Sequence, residues 1–82
     1  IIHLTKWLAS TLAPKVRVNC ISPGGISRNQ PISFVKKFLS STPLKRMASE
    51  SDIVGTLIFL CSDQSEYITG QNIIVDGGKT LY

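Results

Sequence analysis

Cysteine, histidine and long apolar runs are all scarce in this sequence, and each scarcity removes a class of function. The 82-residue chain has two cysteines, Cys20 and Cys61. They cannot form the dense disulfide framework that lets small secreted domains fold. Neither has a Cys-x-x-Cys partner or neighbouring metal ligands, so both read as reduced core thiols of a cytoplasmic protein. His3 is the only histidine; it falls in the first helical segment and reads as a surface or packed residue rather than a base. Neither a metal site nor a complete catalytic constellation is expected within these residues. The longest apolar run, Leu57 to Cys61, is far short of the roughly 20 residues of a spanning helix. The start lacks a basic segment followed by a cleavage site. No membrane association is expected.

Charge is also sparse, at 17 % of residues, with a formal net charge of +4. Lys and Arg are dispersed and adjacent only at Lys36-Lys37 and Lys45-Arg46. Without zinc spacing or interleaved aromatics they do not outline a nucleic-acid surface. The 43 % hydrophobic content excludes disorder and is that of a larger domain's interior.

The chain opens on Ile1, and Ile1, Leu4, Leu8 and Leu12, joined by Trp7, form one helical stripe. No capping residue precedes the stripe, and Pro14 stops it. An amphipathic helix without a start is the expectation for part of a longer chain. Residues 16–21 (Val16, Val18, Cys20 and Ile21 among them) are β-prone and end in Pro23 and Gly24, which predicts a strand. Pro31 suits the first turn of a second helix, with Phe34, Val35, Phe38 and Leu39 as its apolar stripe. Ser49-Glu50-Ser51-Asp52 reads as a capping box for a third helix over 50–62. That helix is apolar over most of its circumference and expects cover on more than one side. Residues 71–75 read as a second short strand, with Asp76 stabilising the turn that ends it. The order is α/β. Two strands do not complete a parallel sheet, which needs neighbours on both sides and cover on both faces.

The informative segment is Ser22-Pro23-Gly24-Gly25-Ile26-Ser27-Arg28. It leaves a buried strand and precedes a helix, where open α/β sheets bind ligands. Its glycines let backbone approach a ligand closely, and Arg28 is placed to meet an anionic group.

Several blocks, taken in order, resemble the C-terminal third of a short-chain dehydrogenase/reductase. They are Leu4-Thr5-Lys6-Trp7-Leu8-Ala9, the more diagnostic Val16-Arg17-Val18-Asn19-Cys20-Ile21-Ser22-Pro23-Gly24, Thr42-Pro43-Leu44-Lys45-Arg46-Met47, Leu57-Ile58-Phe59-Leu60-Cys61-Ser62-Asp63, Ile68-Thr69-Gly70-Gln71 and Val75-Asp76-Gly77-Gly78. The resemblance covers the whole chain. It implies that residues 1–82 are the C-terminal portion of one doubly wound, parallel-sheet, Rossmann-like domain that binds NAD or NADP, with the sheet incomplete here. It implies hydride transfer between nicotinamide and a carbonyl or alcohol substrate. The family's glycine-rich loop and its Ser, Tyr and Lys find no counterpart here, so the chain by itself is expected to be inactive and to have no catalytic residue of its own.

Carried over position by position, Pro23 and Gly24 match the loop beside the nicotinamide, with Gly25 next in it. Ile26 matches the residue whose backbone holds the carboxamide. Arg28 stands where the family often has Thr, leaving it a phosphate, the substrate or solvent. Asn29, Gln30 and Phe34 fall in the variable flap over the substrate. Pro-Gly-Gly-Ile followed by Asn-Gln-Pro also resembles bacterial members linked to surface-sugar biosynthesis, which implies a sugar or sugar derivative as substrate, with Arg28 or Lys36 near it. The family's subunit surface corresponds to 50–62 and 72–75, implying a dimer or tetramer of like chains. A different class of reading is a truncated, non-catalytic oligomerisation partner of a full-length relative.

Overall fold

The structure is a computed structural model and describes residues 1–81. Three α-helices and two strands follow in the order α1 (Ile2–Leu12), β1 (Cys20–Pro23), α2 (Ile32–Ser40), α3 (Glu50–Cys61) and β2 (Asn72–Val75), with 3-10 turns at Asp63–Ser65 and Lys79–Leu81. The strands are parallel and in register from Cys20 opposite Asn72 to Pro23 opposite Val75. A two-stranded parallel sheet carrying helices is the incomplete α/β arrangement that the sequence predicts.

The first strand is shorter than the expected 16–21, and the reason lies in its partner. Residues 68–71 turn before β2 begins, so a regular ladder gives way there to one backbone bond supported by side chains. Thr69 Oγ1 accepts Val18 N–H at 3.0 Å, and Val18 O accepts Gly70 N–H at 2.7 Å. The Asn19 amide spans the same turn, donating to Ile68 O and accepting from Gln71 N, each at 3.0 Å. Arg17 reaches further: its guanidinium donates to Leu60 O at 2.9 Å and Ile68 O at 3.1 Å. One cation thereby holds the C-terminal end of α3, where carbonyls lack helical partners and the helix dipole favours positive charge.

Of the first helix's apolar stripe, Leu4, Leu12 and Trp7 are exposed, Trp7 at 63 %. The residues α1 buries are Thr5 and Ala9, and a Cβ placed on Gly70 would lie 3.5 Å from that of Ala9. The helix therefore packs through its small side and leaves its large side chains outward. The third helix starts as predicted: the Asp52 carboxylate accepts Ser49 N–H at 2.7 Å in a capping box. Among its apolar residues only Leu60 is buried; Val54, Leu57, Ile58 and Phe59 are exposed. Cys61, expected in the core, is exposed at the helix end, and both cysteines are free thiols.

Ala9 and Leu60 are the buried hydrophobic residues among those described. The radius of gyration is 15.1 Å, against about 12 Å for a compact domain of this length. No described helix is long and apolar enough to cross a membrane.

Candidate functional site

The carboxyl ends of β1 and β2 bring the Pro-Gly loop and the Asp-Gly-Gly turn side by side. Gly24 N–H donates to Val75 O at 2.8 Å. A Cβ on Gly24 would meet Asp76 Cα at 2.8 Å, so this approach requires glycine. A Cβ on Gly25 would meet the Phe38 ring at 2.6 Å. Asp76 is turned onto its own loop, accepting from Gly78 N at 2.9 Å, Thr80 N at 3.0 Å and Thr80 Oγ1 at 2.6 Å. The Thr80 hydroxyl first, then these backbone N–H groups, hold its carboxyl below the usual range. This is the turn-stabilising role expected of Asp76.

Beyond Gly25 the chain makes a single parallel bridge, Ile26 to Ala48. Its hydrogen bonds run from Ala48 N to Gly25 O at 2.8 Å and from Ser27 N to Ala48 O at 3.0 Å. In such a bridge the middle residue's own N–H and C=O point to the opposite edge. The Ile26 carbonyl there accepts Gln30 Nε2 at 2.8 Å. The Ile26 N–H finds no partner among the described residues. Gln30 Oε1 meanwhile accepts Arg28 N–H at 2.7 Å. One donor and one acceptor on a common edge are complementary to a primary carboxamide, and Gln30 supplies one from within the chain.

Arg28 pairs with Glu50 at 2.7 Å, both side chains largely exposed. The pair holds Arg28 at the start of α3 and adds no more than about 1 kcal/mol. Asn29 adopts a left-handed φ of 59°, a conformation that Asn tolerates better than most residues. Phe34 stacks on Phe38 with centroids 6.4 Å apart. Of the residues singled out in the sequence, Pro23, Gly24, Gly25 and Ile26 form the loop backbone, Gln30 is tied to it, Arg28 and Asn29 flank it, and Phe34 lies on α2.

A cleft of about 180 Å³ lies beneath this loop, lined by Gly24, Gly25, Phe38, Arg46, Asp52 and Asp76 among others. Arg46 grips Asp52 with two bonds, 2.8 and 3.0 Å. That guanidinium first, then Ser49 N–H, holds the Asp52 carboxyl well below the usual carboxylate range, and the carboxylate in turn raises the Arg46 pKa. The sequence marks Asp52 as a cap and Arg46 only as part of the block 42–47, and neither mark brings the two together at the cleft. The signal available was the Arg46-to-Asp52 spacing around the capping box. Among the described residues no group of three or more His, Cys, Asp or Glu could hold a metal. The assembled groups are suited to holding a ligand through backbone and shape; none is placed as a nucleophile or base.

A family model described as enoyl-(acyl carrier protein) reductase matches residues 1–80. Post-translational flagellin modification protein A of Campylobacter coli is 44 % identical over 80 residues, covering 96 % of this chain and 31 % of that protein. A 3-oxoacyl-[acyl-carrier-protein] reductase of Buchnera aphidicola is 40 % identical over 86 residues, covering 99 % of this chain and 35 % of that protein. A crystal structure of a short-chain dehydrogenase from Leptospira borgpetersenii with bound NAD+ superposes with a TM-score of 0.94 at 56 % identity, covering 98 % of this chain and 32 % of that one. The chain thus spans about a third of the length of the curated relatives it matches.

Proposed function

The chain belongs to the short-chain dehydrogenase/reductase family, and on that premise we propose that it is the C-terminal portion of an NAD(P)-dependent oxidoreductase. In this reading residues 1–82 complete one Rossmann-like domain, and the Ser, Tyr and Lys of the chemistry come from outside them. The observation that carries it is the Ile26 edge: an N–H and a C=O facing one way, at the carboxyl ends of parallel strands where such folds bind nucleotides. A nicotinamide carboxamide fits that donor and acceptor.

Bound NAD or NADP supplies hydride exchange with a carbonyl or alcohol. The residues of this chain bind and orient. Pro23 and Gly24 let the nicotinamide ring come close to the strand ends, Gly25 leaves room for Phe38, and the Ile26 backbone fixes the amide. Asn29, Gln30 and Phe34 lie in the segment that covers the substrate, and Arg28 can exchange its exposed Glu50 partner for an anionic group. Support for a sugar or sugar derivative in surface polysaccharide biosynthesis comes from the relative named for flagellin modification. Support for a homo-oligomer through 50–62 and 72–75 comes from the exposed Val54, Leu57, Ile58 and Ile74. A cytoplasmic location accords with two free thiols.

The test is fluorescence titration of the full polypeptide with NADH, followed by competition with ADP-ribose. Saturable NADH binding that ADP-ribose displaces is the expected result. No binding of NADH or, in a parallel titration, of NADPH would overturn the reading and favour the non-catalytic oligomerisation partner. Intact mass of the native polypeptide checks the domain assignment, with a value roughly three times that of this chain expected for one complete sheet domain.

A further inference from the structure

Gln30 carries the same functional group as nicotinamide, a primary carboxamide, and places it on the backbone edge assigned to the cofactor. Its Nε2 donates to Ile26 O at 2.8 Å, and its Oε1 accepts Arg28 N–H at 2.7 Å. Both distances are those of well-formed bonds. The edge is available because the bridge to Ala48 uses Gly25 O and Ser27 N, turning the Ile26 groups away. Gln30 is half-buried, whereas Asn29 before it and Pro31 after it are exposed. The side chain is therefore folded inward from an otherwise exposed strap. One residue, Pro31, separates Gln30 from α2, whose first residue is Ile32.

From this geometry we infer that Gln30 is an internal placeholder for the nicotinamide carboxamide, and that cofactor binding displaces it. The inference rests on the proposed function, since it assigns the Ile26 edge to the cofactor. It replaces a substrate contact by Gln30 with a positioning role. Without cofactor, the two bonds hold residues 26–30 in a closed loop. With cofactor, the nicotinamide amide donates to Ile26 O and its carbonyl accepts the Ile26 N–H. The Gln30 amide is then released from Ile26 O and also gives up Arg28 N–H. The strap from Asn29 to Pro31 is freed, and with it the start of α2, so the segment that covers the substrate responds to the cofactor. The exchange keeps the number of bonds at two: the incoming amide takes the Ile26 carbonyl and the Ile26 N–H, which Gln30 leaves without a partner among the described residues, while Arg28 N–H, on an exposed residue, turns to water.

A placeholder weakens binding of the group it mimics and of nothing else. The test compares the full polypeptide with its Gln30→Ala and Gln30→Glu variants, measuring Kd for NADH and for ADP-ribose, which lacks the nicotinamide. The glutamate keeps the size of the side chain but presents no amide donor to the Ile26 carbonyl, so it also vacates the edge; it serves if the alanine variant fails to fold. The expected result is an NADH Kd lowered roughly threefold to tenfold in both variants, with the ADP-ribose Kd unchanged. An NADH Kd that is unchanged or raised overturns the inference, the raised value indicating that Gln30 preorganises the loop instead. Equal shifts for both ligands also overturn it, since the effect would then not be centred on the amide. Absence of both NADH and NADPH binding by the unsubstituted polypeptide overturns the proposed function and this inference together, and so is distinguishable from a failure of the inference alone; where only NADPH binds, the same comparison is made with it.

Discussion

Replacing Arg17 tests the physical account of how the third helix is held to the sheet. The guanidinium donates to Leu60 O at 2.9 Å and Ile68 O at 3.1 Å, with a weaker approach to Ser62 O at 3.5 Å. A hydrogen bond to a charged group contributes about 1.5–3 kcal/mol, so the two good bonds set an upper bound of about 3–6 kcal/mol for their joint loss. Both acceptors have second donors, which lowers that bound. The single Ser65 hydroxyl proton has Phe59 O at 2.9 Å, Leu60 O at 3.0 Å and Ser62 O at 3.1 Å within reach and can turn to Leu60 O, and Asn19 Nδ2 donates to Ile68 O at 3.0 Å, so removing Arg17 leaves each carbonyl a second donor within reach. Arg17→Met, which keeps the aliphatic stem, is therefore expected to cost about 2–4 kcal/mol. Arg17→Lys keeps the charge but loses the planar fork that spans the two carbonyls, and is expected to cost about 1–2 kcal/mol. The assay is urea unfolding of the full polypeptide followed by circular dichroism at fixed protein concentration, with an unchanged m-value as the check that only stability moved. Combining Arg17→Met with Ser65→Ala strips both side-chain donors from Leu60 O and should exceed the sum of the single changes by about 0.5–3 kcal/mol. An Arg17→Met protein within about 0.5 kcal/mol of the original would refute the reasoning and reduce the arginine to a solvated surface charge.

Gly24→Ala places a Cβ 2.8 Å from Asp76 Cα and 2.9 Å from Asp76 Cβ, where backbone must move; a loss of about 1–3 kcal/mol and a weaker NADH Kd are expected, and unchanged stability would refute the close approach. Gly55→Ala meets nothing within 4 Å of its Cβ in this chain, so helix propensity alone would stabilise by about 0.5–1 kcal/mol; on the proposed subunit surface over 50–62 a loss is expected instead, and the full gain would show that neither a second subunit nor the rest of the polypeptide covers that position. The Asp52 and Asp76 carboxyls are both held below their ordinary value, so their stabilising contribution is complete above the unfolded carboxylate pKa of about 4. It is lost as pH falls through the lower folded values. Urea midpoints measured from pH 6 down to pH 2 should therefore fall below about pH 4, and less steeply in Asp52→Asn; an Asp52→Asn protein with the full acid slope would refute the role of the Arg46 pair.

The local elements were legible because their signals are local. The Ser49 to Asp52 capping box starts α3 where the spacing puts it, since the box joins groups three residues apart. Pro14 follows the end of α1, and Gly77 and Gly78 end the second strand region with positive φ. Among these same residues the Asp76 turn formed as its residue type implies. The Pro-Gly loop was readable as the turn that leaves the first strand, and the order of the matched blocks along the chain carried the family.

Contacts that join distant residues were not legible. The length of β1 depended on where residues 68–71 turn, some 50 positions away, because a strand is defined by its partner's hydrogen bonds. The outward stripe of α1 could not be read from periodicity, which marks an apolar face but not what lies against it; Ala9 meeting Gly70 decided that. Arg46 reached the cleft only because the bridge from Ile26 to Ala48 folds that link beneath the loop. The same bridge turned the Ile26 backbone outward and gave Gln30 its partner. The sequence by itself determined which helices start and stop where, the α/β order and the loop chemistry, since these follow from backbone propensity and short-range hydrogen bonds. Only the tertiary structure decided which groups face one another across that loop, since a hydrogen bond between residues far apart in the chain exists only once the fold has brought them together.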